Sequence, residues 1–185
     1  AAWRVTTADG ATHEAPALAL ATAPDVAAAL LAEAAPEPAG LLRRIGTAGG
    51  ASEGVVVRAE RVALPRLAGL VGVEAPFWSI VTRDPVGHPD FRGFAFHFRP
   101  GTPPAERTAR MSAVLGVPAD AFEARAAATH RLPSPAAGHA ALVRQLDALL
   151  AGRRLLLTGN YFGGLAIEDC VARSATEAER LLALD

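Results

Sequence analysis

The strongest constraint on the fold is a stretch near the end of the chain, in which an apolar run, a glycine turn and a helix follow one another. Leu155–Leu157 has the length of a short buried strand, and the run stops at Thr158-Gly159. Gly163-Gly164 follows, and apolar or small residues then recur at helical spacing from Ile167. A strand that leads through glycines into a helix aims backbone N–H groups at one point, where an anion can bind. The missing Cβ of glycine lets a ligand approach the main chain closely.

The apolar or small positions of that last helix form a single stripe, which predicts an amphipathic helix. They are Ile167, Cys170, Val171, Ser174, Ala175, Ala178, Leu181 and Leu182. Because Cys170 belongs to this stripe, it is predicted to be a buried structural thiol and not a nucleophile.

The same residues also fit a plain strand–helix connection, in which the glycines only relieve local strain. Their spacing is not the G-x-G-x-x-G dinucleotide fingerprint, and no such fingerprint occurs elsewhere in the chain. The residues alone therefore leave a ligand site and a simple turn as open alternatives.

Composition excludes several classes of function. The chain has 185 residues, a net charge of −1 and 51% hydrophobic residues, which indicates a globular protein without a basic face for nucleic acid. No apolar run approaches the roughly 20 residues of a membrane span. Cys170 is the single cysteine, which predicts a reducing, cytoplasmic location, while peripheral association with a membrane surface stays open.

Local patterns in the first part of the chain predict a hairpin and a helix before a longer irregular region. Asp9-Gly10 is a hairpin signal between two short strands. Pro24 is predicted to begin a helix that the Pro36-Glu37-Pro38 cluster ends. The glycine-rich segment 46–54 is predicted to be a loop.

The middle and later parts predict an antiparallel sheet with flanking helices. Strands are predicted over 54–59, 76–82 and 91–98, and the last of these alternates, with Phe94, Phe96 and Phe98 on one side and Ala95 and His97 on the other. Thr102 is predicted to be the N-cap of a helix that ends at Gly116. Another helix is predicted to start at Gly138-His139.

Two segments together resemble the C-terminal part of the protoporphyrinogen oxidases, within the wider flavin amine oxidase and phytoene desaturase superfamily. The first runs from Thr158 to Cys170 and resembles the family's C-terminal flavin-binding segment. The second, Pro133-Ser134-Pro135-Ala136-Ala137-Gly138-His139, resembles a Pro-x-x-x-x-Gly-His segment that lies upstream of it in the family. The order and separation of the two segments also fit.

The resemblance implies an α/β (α+β) fold, namely the C-terminal part of a two-lobed FAD-binding flavoprotein. It implies three segments: the exit from the FAD domain (1–35), an antiparallel-sheet substrate-binding lobe (36–130), and a return to the FAD domain (131–185). The family usually has small and polar residues in its substrate lobe, and this sequence departs from that in detail, so the exact substrate stays open.

The resemblance also implies FAD as cofactor and a set of residues that contact it. Gly159 and Asn160 are expected near the ribityl or pyrophosphate portion, and backbone N–H groups at the helix start near N1 and O2 of the flavin. The expected cofactor-binding residues are Gly159, Asn160, Gly163, Gly164, Leu165, Ala166 and Ile167. The family's N-terminal half would be missing, so the chain is expected to be a fragment or one subunit of a split enzyme, inactive by itself.

No catalytic side chain is assigned, because flavin chemistry does not require a strong side-chain base. Four apolar and aromatic residues could form the wall of a pocket for a flat hydrophobic substrate, although each also fits a core role: Phe77, Trp78, Phe94 and Phe96. Glu168 and Asp169 fit favourable interaction with the helix dipole better than acid–base work. His139 fits a structural role at the start of its helix.

Metal and hydrolase chemistry lack the residues that they need. His88, His97, Asp84 and Asp90 are close in sequence, but no histidine pair has helical ligand spacing and no Cys-x-x-Cys supports them. No G-x-S-x-G elbow occurs. No metal site is therefore predicted.

The sequence thus leads to one function hypothesis and several alternatives. The first is an FAD-dependent oxidoreductase that dehydrogenates a hydrophobic, porphyrinogen-like substrate by hydride transfer to flavin. An amine oxidase or a polyene desaturase is an alternative within the same class. A non-catalytic binding or assembly subunit that keeps a flavoprotein-like fold is an alternative from another class.

Overall fold

The computed structural model describes residues 2–184, which divide into two compact units. Unit 1 is formed by both ends of the chain, up to Ala48 and from Leu132, and unit 2 comprises Gly49–Arg131. The assignment of these units to an FAD domain and a substrate lobe stays a prediction.

The described residues form nine strands and five α-helices. The strands are β1 (Trp3–Thr6), β2 (Thr12–Ala15), β3 (Leu18–Leu20), β4 (Thr47–Arg58), β5 (Gly69–Val71), β6 (Phe77–Thr82), β7 (Phe91–Phe98), β8 (Ala124–Pro133) and β9 (Leu155–Leu157). The helices are α1 (Pro24–Leu30), α2 (Pro36–Leu42), α3 (Pro104–Leu115), α4 (His139–Leu150) and α5 (Ile167–Leu182). This mixed α/β architecture with a five-stranded antiparallel sheet confirms the predicted fold class.

Unit 1 contains two small sheets. β1 and β2 form the predicted antiparallel hairpin, whose turn includes Gly10 at φ +86°. Further along, β3 pairs in parallel with β9, so that Leu20 lies beside Leu157. The strand before the glycine turn is thus held by a segment more than a hundred residues away in sequence.

The core of unit 1 is built by α1, α2 and α4 packed against β3 and β9. Its fully buried aliphatic side chains include those of Leu31, Leu42, Leu146, Leu155 and Leu157. The prediction that the Pro36-Glu37-Pro38 cluster ends the first helix is wrong, because α1 already ends at Leu30. Pro36 is the first residue of α2, where its fixed φ is favourable and its missing N–H has no consequence.

Unit 2 contains the five-stranded sheet, in the order β5-β6-β7-β4-β8. The predicted alternation of β7 is confirmed, since Phe94, Phe96 and Phe98 are buried and pack with Met111 and Leu115 of α3. The opposite face of the sheet carries the alternate residues.

Two local predictions in this region are wrong. The glycine-rich segment 46–54 is mostly strand, because β4 begins at Thr47 and pairs with β7 from Ala51 onwards. Thr102 is not the N-cap of α3, since Pro103 holds that position. The Thr102 hydroxyl donates instead to backbone carbonyls of Arg99 and Pro76. It thereby links the segment before α3 to the residue before β6.

Candidate functional site

The glycine turn joins the end of β9 to the start of α5 through nine residues, 158–166. Gly159 has φ +141°, a conformation that side chains other than hydrogen rarely adopt. A Cβ there would also lie 2.9 Å from the ring of Tyr161. The turn therefore requires glycine at its first sharp bend.

Gly164 and Asp169 shape the entry into α5. The Asp169 carboxylate accepts a hydrogen bond from the backbone N–H of Ala166 at 3.2 Å, and a Cβ on Gly164 would overlap that carboxylate. Asp169 thus satisfies one amide at the helix start, and its charge is favourable there because of the helix dipole. This geometry supports the structural interpretation of Asp169.

The residues between Phe162 and α5 are presented outwards. Gly163, Leu165, Ala166 and Ile167 are exposed, and a Cβ on Gly163 would meet no atom within 4 Å. The first N–H groups of a helix have no partner within the helix. The exposed start of α5 can therefore offer main-chain donors to a ligand that approaches over Gly163.

A hydrogen bond connects the two segments that carry the family resemblance. His139, the first residue of α4, donates from Nε2 to the carbonyl oxygen of Tyr161 at 2.8 Å. The acceptor is a carbonyl, so Nε2 carries the proton. His139 is thus a positioning residue for the turn; the sequence predicted a structural role for it at the helix start but not this partner.

Tyr161 and Phe162 fix the turn from beneath. Both are buried in the core of unit 1, and the Arg173 guanidinium of α5 lies 3.8 Å from the centre of the Phe162 ring. Among the described residues the Tyr161 hydroxyl has no hydrogen-bond partner, and its burial raises the pKa of this phenol. The two aromatic rings bind the turn to the core while Gly163 remains exposed.

Helix α5 packs a cluster of three charged residues inwards, while most of its apolar stripe is exposed. Its buried residue is Glu177, which is paired with Arg173 and Arg180. The stripe residues Ile167 and Leu182 are 84% and 71% exposed. Cys170 is only half-buried, so the prediction that its thiol is buried is wrong.

The two arginines of this cluster also cover one edge of β9. Arg173 donates to the carbonyl of Leu157, and Arg180 donates to that of Leu155. These carbonyls point away from β3, because the backbone N–H and C=O groups that pair with β3 belong to Arg154, Leu156 and Thr158. The outer edge of β9 is therefore occupied by side chains of α5.

Most of the predicted substrate-wall residues lie in the core of unit 2. Phe77 and Phe96 are 7% and 0% exposed, with their rings edge-to-face, and Phe94 is 3% exposed. Trp78 is 40% exposed and lies near the guanidinium of Arg99. The structure does not bring these four residues together on one accessible surface, and their role towards a substrate stays a prediction.

Sequence reasoning missed two buried charge clusters in unit 2. Asp84 accepts hydrogen bonds from Arg92, which also donates to backbone carbonyls of Leu64 and Pro65. Glu53 is buried on β4 between Arg107 and Arg125. Glu53 lies in the segment 46–54 that the sequence predicted to be a loop, so its inward position on β4, where a carboxylate requires cationic partners, was not recognised.

Within residues 2–184, no group of three or more His, Cys, Asp and Glu side chains is arranged to hold a metal ion. Over the same residues, none of the helices combines the length and apolar character needed to cross a bilayer.

The fold of this chain is also found in solved structures of other proteins. It matches a protein from Exiguobacterium sp. 255-15 that is provisionally named protoporphyrinogen oxidase, with a TM-score of 0.71 and 18% identity. It also matches the PF1083 protein from Pyrococcus furiosus, with a TM-score of 0.58 and 10% identity. Each match covers 98% of this chain and 44% of the other.

These matches establish a distant relationship of fold and leave family membership open. The chain spans less than half the length of both solved proteins, and the first match corresponds to the C-terminal part of a protoporphyrinogen oxidase-like fold. No protein-family profile matches the sequence, and no curated protein matches it either.

Proposed function

We propose that the chain is the flavin-end and substrate-lobe portion of an FAD-dependent oxidoreductase that dehydrogenates a hydrophobic, porphyrinogen-like substrate. The observation that carries this proposal is the outward-facing glycine turn between β9 and α5, in a fold that resembles the C-terminal part of such a protein. Bound FAD would supply the hydride acceptor for this reaction.

The residues of the turn fit the contacts that a flavin requires. Gly163 leaves open space above the main chain, and the first N–H groups of α5, which have no partner within the helix, lie at the positive end of the helix dipole. Positive potential at this point favours an electron-rich flavin edge. Gly159 and Asn160 are expected to contact the ribityl or pyrophosphate portion of FAD. Residues 163–167 are expected to contact its flavin ring.

His139 and Phe162 would keep this turn in its binding geometry. The His139 hydrogen bond to the Tyr161 carbonyl fixes the turn from the α4 side, and the Arg173–Phe162 contact fixes it from the α5 side. A pre-formed turn does not have to be ordered when the ligand arrives, so binding costs less entropy.

We further propose that a polypeptide carrying the rest of the fold covers two parts of unit 1, namely the apolar stripe of α5 and the outer edge of β3. The apolar stripe of α5 faces solvent in this chain, and no second strand pairs with the outer edge of β3 among the described residues. Parallel sheets of two strands are rarely left uncovered. Since the outer edge of β9 is occupied by Arg173 and Arg180, an added strand would pair at Ala19 of β3.

The visible absorption spectrum of the purified chain tests this function, measured with and without FAD and with its co-purifying polypeptide. A bound-flavin spectrum that depends on the completing polypeptide is the expected result. Absence of flavin from that complex would overturn the oxidoreductase proposal and leave the assembly-subunit alternative.

A reducing, cytoplasmic location belongs to the proposal, because Cys170 is the single cysteine.

A matched pair of glycine variants locates the flavin at the turn. Gly163→Val adds a side chain at a position where the protein itself leaves space, so it should lower flavin retention at least about tenfold without unfolding the chain. Gly152→Val is the control, because it also lies in open space but outside the turn, between α4 and β9. Equal flavin retention by the two variants would contradict the assignment.

A further inference from the structure

The face of the unit 2 sheet opposite α3 carries a depression of about 510 Å³. Small and apolar residues of four neighbouring strands or strand ends form most of its floor: Gly54, Val56, Val81, Gly93, Ala95, Ala124 and Ala126. Its volume lies within the range of roughly 300–1,000 Å³ that is typical of small-molecule sites.

The residue types on this face are unusual for a strand surface that only meets water. Antiparallel sheets with one solvated face normally alternate apolar residues inside with polar residues outside. In the depression, the outward positions are Val56 on β4, Val81 on β6, and Gly93 and Ala95 on β7. Small side chains on adjacent strands bring the backbone close to whatever lies above it, which suits a flat molecule.

Polar side chains at the border of the depression are cationic or neutral. Arg83 is exposed, and its aliphatic stem crosses Gly93, where a Cβ would lie 3.3 Å from Cγ of the arginine. His97 is held in place because its Nδ1 lies 2.7 Å from the hydroxyl of Ser52, which leaves Nε2 for a ligand. No Asp or Glu is among the described residues that line the depression.

The nearest acidic group on the same strands is turned away. Glu53 is buried on the α3 side of β4, where Arg107 and Arg125 pair with it. Its charge is thus compensated on the other face of the sheet, and Arg125, although its residue borders the depression, is committed to that pair. Arg83 is then the guanidinium available for an anion at this border.

We propose that the depression binds a flat, apolar molecule bearing a carboxylate, with Arg83 as the partner of the carboxylate and His97 as a second hydrogen-bonding group. The planar guanidinium matches a carboxylate in a two-point contact, and the small-residue floor accepts an apolar ring system. The identification of this ligand with the enzyme's substrate rests on the proposed function. The hydrophobic substrate proposed there would be such a flat, apolar molecule with a carboxylate.

Binding to the purified full chain tests the site without flavin or any partner. The probes are 2-naphthoate and its neutral analogue 2-naphthamide, which share one ring system and differ in charge. Titration calorimetry should show that the wild-type chain binds the carboxylate at least about fivefold more tightly than the amide. In NMR spectra the His97 ring signals should shift on addition of naphthoate, whereas those of His13, in the β1–β2 hairpin, should not.

Three variants assign the contacts. Arg83→Gln should remove the preference for the carboxylate, whereas Arg110→Gln, an exposed arginine on α3, should keep it. Ala95→Leu should fill the floor and lower the affinity for both probes about tenfold or more. If that variant does not fold by circular dichroism, Val81→Glu, at a half-exposed position, should repel the carboxylate and spare the amide.

Equal affinity of the wild-type chain for the two probes would overturn the proposal, as would binding that survives both filling the floor and adding a negative charge to it. These outcomes are separate from the flavin experiment, because the glycine turn lies in unit 1 and every lining residue of the depression lies in unit 2. Loss of naphthoate binding with intact flavin retention would disprove this site alone.

Discussion

Helices α3 and α5 present opposite faces to the structures on which they pack. α3 buries Met111 and Leu115 against the phenylalanine row of β7, as its apolar positions predict. α5 buries Glu177 with its two arginine partners, and Ile167 and Leu182 of its apolar stripe face solvent. The apolar stripe of a helix indicates the face that is covered in the complete assembly. Within residues 2–184 the stripe of α3 is covered, whereas that of α5 is not.

The difference teaches that burial has to be judged against the whole assembly. Unit 2 closes its own core, and its interior consists of aromatic and aliphatic residues with two compensated charge clusters. Unit 1 closes a core on the α1, α2 and α4 side, whereas the α5 side ends in charges against β9 and apolar residues against solvent. This asymmetry is expected if another polypeptide covers α5.

The largest expected effect is on the phenylalanine row. Phe96→Ala removes a fully buried ring that stacks on Phe98 and meets Phe77 edge-to-face, so the free energy of unfolding of unit 2 should fall by about 3–5 kcal/mol. Urea unfolding followed by Trp78 fluorescence, in a Trp3→Phe background, measures it. Val81→Ala, on the other face, is the control. A loss below about 1 kcal/mol would mean that α3 and the sheet do not form a tightly packed core.

The charge cluster beneath α5 should give the next largest effect. Glu177→Ala leaves the guanidinium groups of Arg173 and Arg180 partly buried without their shared carboxylate, which should destabilise unit 1 by about 3 kcal/mol. Glu179→Ala, an exposed glutamate on the same helix, should change little. Thermal unfolding of the two variants compares them directly, and similar melting curves would show that the buried face of α5 contributes little to stability.

Acid should destabilise unit 2 through Asp84. Hydrogen bonds from Arg92 hold the pKa of this buried carboxyl below its usual range. Its contribution is therefore present above the unfolded-state pKa of about 3.9, and it is lost as pH falls through the lower folded-state pKa. Unfolding free energies measured between pH 6 and pH 2 should decline less steeply for Asp84→Asn than for Asp120→Asn, an exposed carboxylate in the same unit. Parallel curves would exclude this linkage.

The smallest effect is expected on the outer stripe. Ile167→Ser should change the stability of the isolated chain by less than about 0.5 kcal/mol, because the side chain is 84% exposed. The same substitution should weaken association with the completing polypeptide, and Ala172→Ser, exposed on α5 outside the stripe, should not. Sedimentation of the mixed components measures both. A large stability loss from Ile167→Ser alone would show that the stripe is already covered within the chain.

Much of the local structure could be predicted because short-range rules decide it. Asp9-Gly10 gives a hairpin, Gly116 ends α3 with φ +68°, and β7 alternates between its two faces. Predictions failed where pairing overrode local preference. Segment 46–54 is mostly strand because β4 lies between β7 and β8 in the sheet and pairs with β7 from Ala51 onwards, and Pro36 begins α2 instead of ending α1.

The candidate site divides in the same way. The order of residues from Leu155 to Ile167 alone determined that a strand, a glycine turn and a helix would follow one another, because residue size and periodicity act locally. The tertiary structure decided that His139 would donate to the Tyr161 carbonyl and that Arg173 and Arg180 would close the outer edge of β9. It also decided that Phe96 would face α3 while Ala95 lines the depression, and that the stripe of α5 would face outwards. These outcomes depend on contacts between segments far apart in sequence, and no local pattern specifies which side of an amphipathic element its neighbours will occupy.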